Sequence, residues 1–378
     1  MTHFNRRQAL GLFGAATFAT TMPVAFAEGM ADRKFVFVLA RGAMDGLSAL
    51  VPADASLERF RPGLIASAPQ SLPLGNGFSL HPALSTLKSW FDAGDAAFVH
   101  AAASPYRGRS HFDGQDVVEI LGAADSRDGW LNRVLGVSGQ AGLAIGYSIP
   151  LALRGRAPAT NWAPAVFEAA DDDLMSRLET LYANDPVFSE PLDLARTMGT
   201  PDVDMGRRGG GPGRAYTQSI KAVGELMARS GGPGVAMVSL DGWDSHAGQT
   251  GFLNGRFQGL DAGFAALKDA LGAHWENTCV VLCSEFGRTV AENGTRGTDH
   301  GTGGLVILAG GAVRGGKVLG DWPGVSQRAL YEGRDLAPAN DLTSILKGLL
   351  RDHLGIDRGA LDSRVFQNSS RPMDGLIV

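Results

Sequence analysis

Residues 278–309 read TCVVLCSEFGRTVAENGTRGTDHGTGGLVILA. Two apolar runs, Thr278 to Cys283 and Leu305 to Ala309, enclose a polar, glycine-rich stretch. Runs of five or six apolar residues bounded by turn formers read as buried strands. The polar stretch therefore leaves one core strand and enters another, and connections held this way commonly carry chemistry. It contains Glu285, Arg288, Asp299 and His300, with Asn293-Gly294 as a turn signal.

Working outward, the same pattern recurs. KFVFVLA (34–40), AAFVHAAA (96–103) and GVAMVSL (234–240) are apolar runs of strand length. Between them lie helix patterns. HPALSTLKSWFDAGD places Leu84, Leu87, Trp90 and Phe91 on one face, with Gly94 at a C-cap. HFDGQDVVEIL follows Ser110, a natural N-cap with Asp113 three residues on. DDDLMSRLETLYAN, AYTQSIKAVGELMARS, FLNGRFQGLDAGFAALKDALGAHW and DLTSILKGLLRDHLG complete the helices, the last with Asp341 near its start and Gly355 at its end. Continuous apolar strands alternating with helices predict an α/β fold, a mainly parallel sheet covered by helices on both faces. No internal repeat and no interdomain linker stands out, so residues 30–378 read as one domain.

Composition narrows the function. The net charge of −5 across 378 residues gives no sign of a nucleic-acid partner. Glycine, at 52 residues, is about twice the usual ~7% without a Gly-X-Y period, which indicates many turns and close backbone approaches. The opening NRRQALGLFGAATFATTMPVAFA has Arg6-Arg7, an apolar stretch and Ala25-Phe26-Ala27, the layout of an export signal cleaved after Ala27. Paired arginines before a moderately apolar Gly/Ala/Thr-rich segment resemble the twin-arginine type, which implies the twin-arginine export machinery as a partner and a periplasmic or extracellular mature protein. No later run reaches the ~18 apolar residues of a membrane span. Cys279 and Cys283, four apart in one strand, are separated by roughly 13 Å, too far for a disulfide.

Ligand-type residues gather at the strand ends, where sites form in open α/β sheets. Asp45 follows the first strand, Asp241, Asp244 and His246 follow GVAMVSL, Glu285 follows TCVVLC, and Asp299-His300 precede LVILA. Carboxylates and imidazoles at one edge suit a divalent cation: zinc, manganese, magnesium or calcium.

RGAMDGL near the start, DGWDSH in the middle and SEFGRT…NG…GTDHGTGG late, behind a twin-arginine-like signal, resemble the bacterial DUF1501 proteins, placed in the alkaline phosphatase/sulfatase-like superfamily. The resemblance covers nearly the whole mature chain. It implies an alkaline-phosphatase-like α/β fold, bound divalent metal and an anionic ester, phosphate or sulfate, as substrate. Carried over by position, it implies metal ligands at Asp45, at Asp241 or Asp244 with His246, at Glu285, and at His300, with Asp299 beside it. The superfamily's Asp-His pair after a later strand is Glu285-Phe286 here, so one expected imidazole is absent. The superfamily nucleophile sits at a helix N-terminus, where free N–H groups receive an anion. Ser110 matches, and Ser104 competes. Arg288, with Arg107 and Arg109, could hold the anionic group. The absence of cysteine there excludes a formylglycine nucleophile.

Two other readings stand beside the metal-dependent hydrolase. One is a non-catalytic binding or assembly protein with a degenerate site. The other is a metal-free Ser/His hydrolase using Ser110 with His111 or His246, which needs an imidazole within hydrogen-bond reach of the serine. No GxSxG, no Walker A and no strand-borne GxGxxG is present. Specificity would come from loops such as 151–171 and 199–214.

Overall fold

A computed structural model describes residues 32–163, 172–183, 185, 188, 189, 192, 193 and 212–378. The export segment and most of loop 199–214 fall outside them. The main sheet has nine strands: β1 (Lys34–Arg41), β2 (Ala96–Ala103), β3 (Gly142–Ile145), β4 (Ala159–Trp162), β5 (Val235–Asp241), β6 (Thr278–Cys283), β7 (Gly304–Ala309), β8 (Lys317–Leu319) and β9 (Asn340–Asp341). Their order is β8-β2-β7-β6-β1-β5-β3-β4, with β9 also pairing with β2. Every pairing is parallel except those of β7, which runs antiparallel to both β2 and β6. A small three-stranded sheet, Leu50–Pro52, Leu72–Gly75 and Phe78–Leu80, lies apart from it.

Period-2 alternation splits the strands between two cores. Phe35, Phe37 and Leu39 of β1 face helices α3 (Trp130–Ser138) and α6 (Leu342–Leu354), and Trp130 meets Phe37 edge-on at 5.1 Å. Val36, Val38 and Ala40 face α1 (Ser85–Ala93), α4 (Pro212–Met227) and α5 (Gln249–Leu271). Helices thus cover both faces, as the sequence predicts. Helix α2 (His111–Ile120) lies over the end of β1, where Arg41 donates to Gln115 at 2.6 Å. The caps follow the sequence as well: Ser110 and Asp341 accept from the first turns of α2 and α6, and Gly94 and Gly355 are left-handed.

Three histidines belong to the core, His81, His100 and His353, and burial lowers His81 to about 4 as it does the other two. His100 is fully buried in β2, donates from Nε2 to the Leu50 carbonyl at 2.9 Å and accepts the Ala101 N–H at Nδ1. His353 donates from Nε2 to the Lys34 carbonyl at 2.9 Å. Burial pushes each down to about 4. The unfolded chain binds these protons near pH 6.5 and the folded chain does not, so stability falls as pH drops from about 6.5 and levels off near 4. The expected loss is on the order of 2–3 kcal/mol per histidine. Urea unfolding between pH 7 and 4.5 checks it, and a flat profile contradicts it.

Candidate metal centre

Sheet topology explains why distant segments meet. Because β7 runs antiparallel beside β6, the 284–303 connection starts and ends at one edge. β1, β2 and β5 finish at that same edge, where Arg41 pairs with Asp241 and β9 aligns Asp341 with Ala103. Glycine lets the loops pack backbone to backbone. Gly42 has φ +112°, and a Cβ there would lie 2.7 Å from the Asp244 nitrogen. At Gly287 a Cβ would lie 1.9 Å from the Gly303 carbonyl oxygen.

Four side chains converge over this edge. His300 Nε2 lies 2.9 Å from His111 Nε2, 3.0 Å from His246 Nε2 and 3.3 Å from Asp244 Oδ1. Asp244 Oδ1 is also 3.0 Å from His246 Nε2 and 3.5 Å from His111 Nε2. The other nitrogen of each ring is committed. His111 Nδ1 meets Glu285 Oε1 at 2.7 Å, His246 Nδ1 meets Asp299 Oδ1 at 3.0 Å, and His300 Nδ1 meets the Arg109 carbonyl at 2.8 Å. A carboxylate or a carbonyl only accepts, so each Nδ1 carries a proton, and in the neutral imidazole Nε2 then presents a lone pair. With neutral rings, these lone pairs and the carboxylate oxygen, gathered around His300 and Asp244, repel unless a proton or a cation lies among them. Fixing Nδ1 on a carboxylate or carbonyl is also how metal-bound imidazoles are oriented. Three imidazole nitrogens with one carboxylate oxygen form a donor set for zinc and similar first-row ions, not the oxygen cage of calcium or magnesium.

Electrostatics keep the two carboxylates ionised and pull the imidazoles in different directions. Burial pushes the Asp244 carboxyl up, but the Arg288 hydrogen bond and charge outweigh it and hold it below the carboxylate range. Glu285 is likewise held low against burial by donors from His111, Gln115 and Gly42. The Glu285 hydrogen bond raises His111, whereas burial lowers His300.

The predicted residues separate into three groups. Asp244, His246 and His300 come together. Glu285 and Asp299, read from sequence as ligands, stand one shell back, because their carboxylates hold His111 and His246 by Nδ1. Asp299 also accepts from Asn293 at 3.1 Å. Asp45 and Asp241 are not brought to the cluster. Asp45 is buried, caps the helix Gly46–Ala49 and pairs with the buried Arg61 at 2.6 Å. Asp241 is exposed at the end of β5, 4.0 Å from Arg41.

Of the two catalytic candidates, Ser110 stands at the helix N-cap where the sequence puts it, and Arg288 is placed differently from expectation. Arg288 is buried and donates to the Ala43, Thr298, Gly42 and Trp243 carbonyls and to Asp244, so it braces the loops rather than presenting itself as an open anion clamp. Ser110 caps α2, with its hydroxyl accepting from Asp113 N–H at 3.4 Å. The ring nitrogens of His111 and His246 are engaged by Glu285, Asp299, Asp244 and His300, and neither hydrogen-bonds the Ser110 hydroxyl. That removes the geometric requirement of the Ser/His reading. Ser104 is buried, accepting from Tyr106 N–H. Arg107 donates to the Ser104 and Tyr106 carbonyls, and Arg109 pairs with Glu332 at 2.9 Å.

His111 is the member of the cluster that the sequence reading did not place among the candidate ligands. It supplies a third imidazole from the helix N-terminus, beside the expected nucleophile. The clue in the sequence was the missing histidine after Glu285. Phe286 stands there, buried, and stacks on His111 at 5.0 Å while facing His300 at 5.3 Å.

A family model for proteins of unknown function, DUF1501, matches residues 89–365. The chain belongs to the DUF1501 family. Among curated proteins none matches it. Solved structures similar to this DUF1501 chain include the phosphonate monoester hydrolase of Agrobacterium radiobacter, at 9% identity and a TM-score of 0.43 over 89% of this chain and 78% of that one. The lipoteichoic acid synthase LtaP from Listeria monocytogenes aligns at 9% identity and 0.40 over 92% and 79%. The PsFucS1 sulfatase from Pseudoalteromonas sp. aligns at 13% identity and 0.40 over 90% and 70%. No helix among the described residues is long and apolar enough to cross a membrane.

Proposed function

We propose that this DUF1501 protein is an exported, metal-dependent hydrolase of a phosphate or sulfate ester. The observation that carries the reading is the convergence of three Nε2 atoms and Asp244 Oδ1, each ring fixed from behind through Nδ1. His111, His246, His300 and Asp244 would hold one divalent ion, with zinc the best fit to the donor set. When bound, such an ion supplies a Lewis acid for an ester oxygen. The chain's own residues do the rest. Glu285 and Asp299 orient imidazoles, Arg288 holds Asp244 ionised, and Phe286 provides an apolar wall. The class of substrate comes from the family resemblance. Export by the twin-arginine route, to the periplasm or beyond, rests on Arg6-Arg7, the apolar stretch and Ala25-Phe26-Ala27.

A second reading is favoured by the placement of Ser110 and Arg288, both committed to structure: a metal-holding binding or assembly protein without turnover. Hydrolysis of 4-nitrophenyl phosphate and 4-nitrophenyl sulfate, before and after treatment with 1,10-phenanthroline, separates the two. Turnover lost on chelation and restored by zinc or manganese supports the hydrolase. Bound metal without turnover of either ester, or of a wider ester panel, moves the assignment to the binding protein.

A further inference from the structure

We propose that Gln249 is a positioning residue for the metal centre, clipping the Asp244/His246 loop to the Asp299/His300 loop through one buried amide. Gln249 begins α5 and is 1% exposed. Its Oε1 accepts from the Ser245 hydroxyl at 2.9 Å and from the Thr298 hydroxyl at 2.6 Å. Its Nε2 donates to Asp45 Oδ2 and to Ser48 Oγ, the latter at 3.1 Å. The Asp45 carboxylate only accepts, so it fixes which end of the amide faces which loop. Ser245 lies between Asp244 and His246, and Thr298 precedes Asp299, the residue that holds His246 Nδ1. The two loops meet again through backbone, where Thr298 N–H donates to the Ser245 carbonyl at 3.1 Å.

This gives Asp45 and Arg61 a purpose other than ligation. Arg61 holds Asp45 at 2.6 Å and donates to the Val290 and Thr289 carbonyls at 2.7 Å each. Asp45 therefore anchors the amide, the amide sets the spacing of the two loops, and the loops set the distance between His246, Asp244 and His300. A satisfied buried polar network of this kind is rigid, and a partly satisfied one is not.

The inference rests on the metal-site reading, and cobalt(II) binding keeps the two apart. Full-length protein, freed of metal, is titrated with cobalt(II), and the visible absorption of the complex reports affinity and ligand geometry together. Gln249→Leu deletes all four hydrogen bonds, and Thr298→Val deletes one with little change of shape. Asn132→Leu is the control. Asn132 is buried and bonds Leu153 and Ala157, none of them in the two clipped loops, so its loss weakens folding while leaving the clip's hydrogen bonds in place. Substitutions behind metal ligands typically weaken binding by about 10- to 100-fold, and that range is expected for Gln249→Leu, with a smaller loss for Thr298→Val and an altered spectrum in both. Asn132→Leu keeps the parent's affinity and spectrum. If the parent binds no cobalt, the metal reading fails. If the parent binds it and both Gln249→Leu and Thr298→Val fold and bind within about twofold of the parent with its spectrum, the clip is overturned.

Discussion

Replacing His300 with alanine is expected to weaken metal binding by more than about a hundredfold and to bring hydrolysis to the uncatalysed background. His300 is the hub of the cluster, since its Nε2 is within 3.3 Å of His111, His246 and Asp244 alike. Changes one shell behind a metal commonly cost about 10- to 100-fold, and removal of the ligand itself costs more. Glu285→Gln supplies the comparison, because it leaves His300, His246 and Asp244 unchanged, alters what holds His111 together with the Gln115 and Gly42 contacts, and belongs in the lower range. Competition with a chromogenic chelator measures both. Equal affinity in the parent and His300→Ala contradicts the assignment.

The second large effect is on stability. Arg61→Met leaves Asp45 buried, charged and without its partner, and breaking a buried pair from one side costs about 3–5 kcal/mol. Burial pushes the Asp45 carboxyl up, while the Arg61 charge and hydrogen bond outweigh it and hold the group ionised. Two carbonyl contacts of Arg61 disappear as well. The double variant Asp45→Leu/Arg61→Met should recover part of the loss, because neither charge is then stranded. Urea unfolding of the three proteins reads this, and a loss below about 1 kcal/mol for Arg61→Met contradicts it. Asp45→Asn should lower stability as well, since it removes the charge that Arg61 pairs with.

Much of the fold was legible because the strands are continuous apolar runs and the helices carry ordinary caps. Lys34–Arg41, Ala96–Ala103, Val235–Asp241, Thr278–Cys283 and Gly304–Ala309 all fall on runs visible in the sequence. Strand direction was not legible. Nothing in LVILA distinguishes an antiparallel β7 from a parallel one, although that reversal is what returns His300 to the edge where β6 ends. The short β3 and β4 (Gly142–Ile145 and Ala159–Trp162) lacked a run long enough to stand out.

The site was legible by residue type and less so by role. A carboxylate that binds metal and one that holds an imidazole leave the same mark in a sequence. Glu285 and Asp299 needed coordinates to show which atoms they face. Asp45 looked like a ligand because its partner Arg61 lies sixteen residues on, inside RFRPGL, with no local pattern tying the two. His111 was hidden by Ser110, whose capping position drew attention one residue away.

Metal content of the purified full-length chain tests the central claim most directly. Elemental analysis after exposure to zinc, manganese and cobalt is predicted to find one ion per chain in the parent and in Asp241→Asn, and none in His300→Ala. A parent that retains no metal under any of these conditions, or that keeps it equally well without His300, contradicts the account.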